Sequence, residues 1–257
     1  ALAVTASSYS SGEHVTFYES AQAVQPWVRS QRKAARDRIT HEHLLASSAI
    51  PFVFPAKGIT IDGHTEYFGD GSMRQSAPIA AAIHLGAERV LVIGAGRMHE
   101  PRGDSTAPPS PSYPSLAQIA GHALSNIFLD ALSVDVERVQ RINQTLSLIP
   151  EEKRTHSALR PVELLVIAPS QRLDAIAARH VGDLPGPVRT MLGALGVTSN
   201  MADVRGAALA SYLLFEQGYT QELMALGRAD TLARRADVCR FFGWKDTGAA
   251  LRTRLPT

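Results

Sequence analysis

The chain has 257 residues, of which 45% are hydrophobic and 19% charged, with a formal net charge of +2 and a pI of about 8.8. This is ordinary globular composition, which excludes fibrous and wholly disordered classes, and the length suffices for one large domain or two small ones. The bases do not gather into the blocks that bind nucleic acid. The single cysteine, Cys239, cannot form an internal disulfide and fits a reducing, cytoplasmic setting, and no apolar run approaches the roughly 20 residues of a spanning helix.

The first residues, Ala1-Leu2-Ala3-Val4-Thr5-Ala6, lack the basic n-region and cleavage site of a signal peptide and read as a strand entered midway, as in a fragment of a longer product. Residues 1–9 and 14–19 are β-type runs joined by Ser10-Ser11-Gly12-Glu13, which predicts an antiparallel hairpin. From 28 to 47 the spacing predicts a helix, with Ile39, His43 and Ala46 on one stripe and Pro51 and Pro55 beyond its end. On that helix Arg29, Arg32, Lys33 and Arg36 fall at i, i+3, i+4 and i+7. Four bases on one face beside Trp27 suit anionic lipid head groups, and equally a solvated surface stripe.

Residues 59–61 and 65–68 flank Asp62-Gly63-His64, a hairpin signal whose second strand delivers Asp70. Pro78 suits the first turn of a short helix over 79–85, stopped by Gly86. Arg89-Val90-Leu91-Val92-Ile93-Gly94 is a near-continuous apolar run of the kind found in a strand covered on both faces. Residues 97–114 hold Pro101, Pro108, Pro109, Pro111 and Pro114, which predicts a mobile surface loop. A long helix over 116–148 and a strand over 162–168 resume the α/β alternation, so the loop reads as an insertion within one domain spanning 1–257. From 170 to 257 the period is helical throughout, as in a layer or cap.

Asp70 ends an apolar stretch and precedes Gly71, so it sits where a strand stops and the backbone turns. Catalytic side chains and plain turn formers both favour such places. The run from His43 through Leu44-Leu45-Ala46-Ser47-Ser48-Ala49-Ile50 to Pro51-Phe52-Val53-Phe54-Pro55, the Asp70-Gly71 step, Ser76-Ala77-Pro78, and the segment from His84 to Ile93 together resemble the patatin-like phospholipase family in order and spacing. Ala168-Pro169-Ser170, Ser211-Tyr212-Leu213-Leu214-Phe215-Glu216 and Tyr219-Thr220-Gln221-Glu222-Leu223 resemble its bacterial members. The resemblance covers nearly the whole chain, strongest over 41–93 and weakest across the proline-rich segment.

The resemblance implies a three-layer α/β sandwich with a helical C-terminal layer. It implies a lipid acyl hydrolase (phospholipase, lysophospholipase or carboxylesterase) of Ser-Asp dyad type, in which Asp70 is the base and no histidine intervenes. Phospholipid or another acyl ester is then the substrate, with peripheral contact at the inner membrane face and no metal or organic cofactor. Ser72 stands where the family has glycine or alanine, a small-for-small change beside Gly71. The family's nucleophile elbow and glycine-rich oxyanion loop would precede residue 1, because no Gly-x-Ser-x-Gly occurs in the chain. The chain by itself is then inactive. The alternative is a non-catalytic fragment or degenerate member serving as a binding or membrane-associating module, and a nucleotide-binding α/β protein stands behind both without Gly-x-Gly-x-x-Gly or a P-loop lysine.

The chemistry fits a dry carboxylate. A serine hydroxyl becomes a nucleophile when a base accepts its proton at about 2.6–3.2 Å, and burial strengthens an aspartate as a base. Phe52, Phe54, Tyr67 and Phe68 are the expected dry surroundings, and Gly71 lets the backbone turn without a side chain in the way. Other candidates read as structural. Gly103-Asp104-Ser105-Thr106-Ala107 lacks the second glycine of an elbow, and Gly94-Ala95-Gly96-Arg97 opens no helix and reads as a turn. Ser47 and Ser48 suit helix capping. His41 and His43, two apart on a helix, point to different faces and cannot both chelate. His84 suits a helix end or core, and Cys239 lies with Leu232, Ala236 and Phe242 on an apolar face as a buried small hydrophobe.

Overall fold

The computed structural model describes residues 1–51, 53–75, 77–98, 116–154, 159–194 and 209–246. Phe52, Ser76 and the proline-rich segment with Ser105, apart from Arg97 and Met98, lie outside the described residues. β1 (Leu2–Ser8) and β2 (His14–Glu19) form the expected antiparallel hairpin, in register from Leu2 opposite Glu19 to Ser7 opposite His14.

Between residues 28 and 36 the structure corrects the predicted helix. β3 (Val28–Arg29) and β4 (Arg32–Arg36) are an antiparallel hairpin about Gln31, whose φ of 58° is left-handed, and β4 runs parallel beside β2. A helix over these residues would bury little more than Ala34 and Ala35. As a strand the segment satisfies the open edge of β2 and buries Ala34 in the sheet. Helical period holds only in α1 (His41–Ser47), where His43 Nδ1 accepts from the Thr40 N–H at 3.2 Å, one half of a capping box. Ser48 Oγ donates to the Leu44 carbonyl at 2.9 Å and closes the other end, the capping role its position predicts.

β5 (Lys57–Ile61) and β6 (His64–Asp70) are the hairpin that Asp62-Gly63 signals, and both turn residues take positive φ, 50° and 82°. The strands assemble into a six-stranded mixed sheet of order β3-β4-β2-β1-β6-β5. One face of it buries Ala6, Val15, Phe17, Ile59 and Phe68 against Ala46 of α1. The Phe17 and Phe68 rings meet edge to face at 5.4 Å, and each buried ring contributes about 2–3 kcal/mol through apolar burial.

α2 (Ala80–His84) follows, stopped at Gly86 with φ 100°. β7 (Arg89–Ile93) pairs only with β8 (Glu163–Ile167) among the described residues. Hydrogen bonds of 2.8 Å from the Glu163 N–H to the Glu88 carbonyl and from the Gly94 N–H to the Ile167 carbonyl set the two strands parallel. β7 is not covered on both faces, contrary to its apolar run: Leu91 is 40% and Ile93 78% exposed, because its residues alternate and one side is open. Along α3 (Leu116–Ser147), buried Asp135 accepts from the Ile79 N–H at 2.9 Å and pairs with Arg138, which anchors the start of α2. α4 (Glu151–Arg154) is a single turn.

The chain divides into two compact units, residues 1–90 with 122–163 and residues 91–121 with 164–257. Beyond β8 the described residues of the second unit form α5 (Leu173–His180), α6 (Gly186–Ala194), α7 (Gln217–Ala233) and α8 (Arg235–Phe242), with 195–208 and 247–257 outside the described residues. His180 pins α5 to α7. Its Nδ1 meets Asp183 and its Nε2 meets Glu222, each at 2.9 Å, and Arg179 also reaches Glu222. The two carboxylates, Glu222 first, hold the His180 pKa above its usual range. Cys239 is half-buried, and its predicted companions Leu232 and Phe242 are exposed, so it is not the fully buried hydrophobe expected. The apolar spacing there exceeds what α8, two turns long, covers.

Candidate functional site

Asp70 is the last residue of β6 and stands opposite Ala6 of β1. Its own N–H donates to the Ala49 carbonyl at 3.0 Å, which ties the strand end to the segment just after α1. This bond is why the run from His43 to Pro55 and the Asp70-Gly71 step belong together in space. The chain then turns into a 3₁₀ segment, Gly71–Arg74, and Asp70 Oδ1 caps it by accepting from the Ser72 N–H at 2.8 Å. Asp70 is only 8% exposed and has no cation partner among the described residues. Burial pushes its carboxyl above the usual aspartate range, and the Ser72 bonds pull it partly back.

Gly71 is required sterically. A β-carbon there would lie 2.4 Å from the Thr5 carbonyl oxygen, 2.5 Å from Thr5 Oγ1 and 2.9 Å from the Thr5 carbonyl carbon. These atoms belong to the central strand β1 and cannot step aside. Gly71→Ala is therefore expected to cost about 2–3 kcal/mol by overpacking, read as a lowered denaturant midpoint. An unchanged midpoint would mean that the turn is free to move away from β1.

Sequence reasoning missed two residues behind this turn. Ser7 Oγ donates to the Gly71 carbonyl at 3.4 Å, and His14, opposite Ser7 in the β1–β2 register, feels the same peptide as a small influence that raises its pKa against the larger effect of burial. The carbonyl of Gly71 and the N–H of Ser72 belong to one peptide plane, so Ser7 steadies one edge of the unit that holds Asp70 at the other. His14 is buried, its Nδ1 has no hydrogen-bond partner, and its pKa falls to about 4, chiefly from burial and in smaller part from the Arg32 charge. The hairpin register was the available signal, since it sets His14 opposite Ser7.

The expected dry surroundings are only partly present. Phe68 is fully buried two residues before Asp70, on the same side of β6, whereas Phe54 and Tyr67 are 46% and 57% exposed and Phe52 is outside the described residues. Alternation along β6 turns Tyr67 away from the face that holds Phe68 and Asp70. Ala6 of β1, opposite Asp70, and the segment after α1 that accepts the Asp70 N–H lie on the same side of the sheet or at its edge.

The predicted lipid-facing set does not form one face. Strand alternation sends Lys33 to one side of the sheet, where it pairs with Glu13 and Glu66 at 3.3 Å each, and sends Arg32 and Arg36 to the other. Arg36 donates to the Ser20 carbonyl at 3.0 Å and Arg29 to the Val28 carbonyl at 2.9 Å. Trp27 is half-buried, stacked between Tyr18 at 5.5 Å and His84 at 4.8 Å. His84 is the last residue of α2, a helix-end position as expected.

Within α1, His43 is buried and His41 exposed, and no cluster of metal-ligating side chains occurs among the described residues. Gly94 to Arg97 follow β7 without opening a helix. A cleft of about 370 Å³ runs along α3, lined by Val134, Arg138, Arg141, Ile142, Leu146 and Ile149, and Asp70 is not part of it. No described helix is long and apolar enough to cross a membrane.

The fold and site define a mixed α/β protein with a buried, cation-free carboxylate at a strand-to-turn junction. No protein-family model matches the sequence, and no curated protein matches it.

Proposed function

We propose that this chain carries the general base of a serine-dependent acyl hydrolase of patatin-like type, with Asp70 as the base and a phospholipid or other acyl ester as substrate. The observation that supports the reading is the carboxylate itself: buried, unpaired with any cation among the described residues, raised in pKa and presented at the end of a strand. A carboxylate in water is too weak a base to activate a hydroxyl, and removal from water is the means of strengthening it. In this reading Oδ1 holds the turn and Oδ2 takes the serine proton. The same carboxyl then returns that proton to the leaving alcohol and activates water for deacylation.

The nucleophile and the oxyanion donors come from outside the 257 residues, because the sequence contains no Gly-x-Ser-x-Gly. The three-layer sandwich and contact with a lipid surface belong to the same proposal. Labelling with a fluorophosphonate probe tests it: the 257-residue chain should stay unlabelled, and a product extended upstream to include Gly-x-Ser-x-Gly should be labelled and should turn over a p-nitrophenyl ester. Labelling of the short chain, or an inert extended product, would overturn the proposal.

A second reading rests on the 2.8 Å bond from the Ser72 N–H to Oδ1, which is what a purely structural turn cap makes. In that reading the chain is a non-catalytic binding or membrane-associating module.

A further inference from the structure

Register places five residues in one row across the sheet: Arg29 of β3 opposite Arg32 of β4, then His14 of β2, Ser7 of β1 and Gly69 of β6. Residues in register project to the same side, so the row starts with two guanidinium groups side by side. Like charges directly opposite one another destabilise a strand pair, and here the pair closes a hairpin of two turn residues, Ser30 and Gln31. Gln31 takes a left-handed φ of 58° that favours glycine, so the hairpin is strained at the same point.

Among the described residues neither arginine is neutralised. Arg29 bonds the neighbouring Val28 carbonyl, Arg32 has no ion pair among the described residues, and the nearby acids Glu13 and Glu66 are engaged with Lys33 on the opposite side of the sheet. His84 completes the group. Its ring stacks on Trp27 at 4.8 Å with an interplanar angle of 22°, and Trp27 in turn stacks with Tyr18 at 5.5 Å, which fixes the position of the imidazole. Burial and then the Arg29 and Arg32 charges lower its pKa. Arg160, the other base near this end of α2, is occupied by the Ile83 and Ala87 carbonyls.

We propose that Arg29, Arg32 and His84 form a binding site for a phosphoryl anion, a phosphate monoester or diester group held between the tip of the β3–β4 hairpin and the end of α2. Two guanidinium forks match phosphate oxygens, and a bound dianion removes the mutual repulsion that the free hairpin carries. The anion also offsets the part of the lowering of the His84 pKa that the Arg29 and Arg32 charges add to burial, so binding raises that pKa and favours proton uptake with the anion. By linkage, affinity then strengthens as pH falls toward the His84 pKa. The site stands independently of the role given to Asp70, since no part of it requires turnover.

Titration of the 257-residue chain with inorganic sulfate, a dianion throughout pH 5.5–8, tests the site without a titrating ligand. Amide resonances of residues 29–32 and the His84 ring should shift saturably, with the His84 pKa raised in the bound state. Arg29→Gln with Arg32→Gln should weaken binding at least tenfold at every pH, and Arg29→Gln alone, at an exposed position, should weaken it while leaving the fold intact. His84→Gln should flatten the pH dependence and leave pH 8 affinity nearly unchanged. No saturable shift, equal binding by the double variant with its amide spectrum preserved, or an unmoved His84 pKa would overturn the proposal. Inorganic phosphate and vesicles of phosphatidylglycerol against phosphatidylcholine then separate the sources. Arginine-dependent binding of free phosphate alone assigns a soluble ligand, and arginine-dependent sedimentation with phosphatidylglycerol vesicles assigns a lipid head group. Vesicle binding that survives the double variant would remove the lipid assignment.

Discussion

Asp70→Asn is expected to lower ester turnover by roughly 10²–10⁴-fold in the serine-bearing extended product, the range a positioned proton-transfer group supplies. In the 257-residue chain the same substitution is expected to raise stability at neutral pH. Asparagine keeps an oxygen in the Oδ1 position, so the 2.8 Å bond from the Ser72 N–H and the 3₁₀ turn survive. What it removes is a buried ionised carboxylate. The pKa of Asp70 is higher in the folded protein than the unfolded value of 3.8, so above that raised value the folded state carries an ionisation the unfolded state accepts more readily. Folding stability therefore rises as pH falls from the folded pKa toward 3.8, and the gain from Asp70→Asn should shrink over that window and vanish below 3.8. Turnover and chemical denaturation at several pH values check both halves. Turnover within threefold of the parent would leave Asp70 a turn cap, and a loss of stability at pH 7 would show that the charged carboxylate supports the fold.

His14 gives the second large effect, with the opposite sign. Its folded pKa of about 4 lies below the unfolded 6.5, so between these values the unfolded chain binds a proton that the folded chain refuses. The stabilisation is complete above about pH 6.5 and lost as pH falls toward 4. At about 1.4 kcal/mol per unit it amounts to about 3 kcal/mol. The depressed Glu66, Glu222 and Asp237 lose stability only as pH falls below their ordinary carboxylate values, His180, raised, loses its contribution above pH 6.5, and Asp70, raised, acts in the opposite direction, so none of them produces a fall in this window. His84, lowered as well, adds in the same direction. Denaturation of unit 1 between pH 7 and pH 4.5 should show the fall, and His14→Gln should remove most of it. A slope unchanged in His14→Gln would mean that the imidazole is hydrated in the folded protein.

Elements with local signatures were legible. The β1–β2 hairpin, the Asp62-Gly63 turn, the strand end at Asp70, the Gly86 stop after α2 and the helical period of the second unit each depend on a few neighbouring residues. Residues 28–36 were misread because Arg29, Arg32, Lys33 and Arg36 fit both a helical face and an alternating edge strand, and charge spacing without an apolar stripe does not choose between them. The open edge of β2 decided the matter, and each β4 residue pairs there with one 18 positions earlier in the chain. β7 was misread for a related reason, since an apolar run shows that a strand seeks cover without showing how many neighbours it finds.

By itself the sequence determined where the chain turns and that Asp70 would stand at a strand end before a glycine, because turn chemistry and hydrophobic period are local. Only the tertiary structure decided what surrounds that carboxylate. The contact of Gly71 with Thr5, the shared peptide plane with Ser7, and the bond from the Asp70 N–H to Ala49 join residues 21 to 66 positions apart. Burial and pKa depend on the atoms that fill space around a group, and strand pairing over such separations is fixed by the packing of the whole sheet.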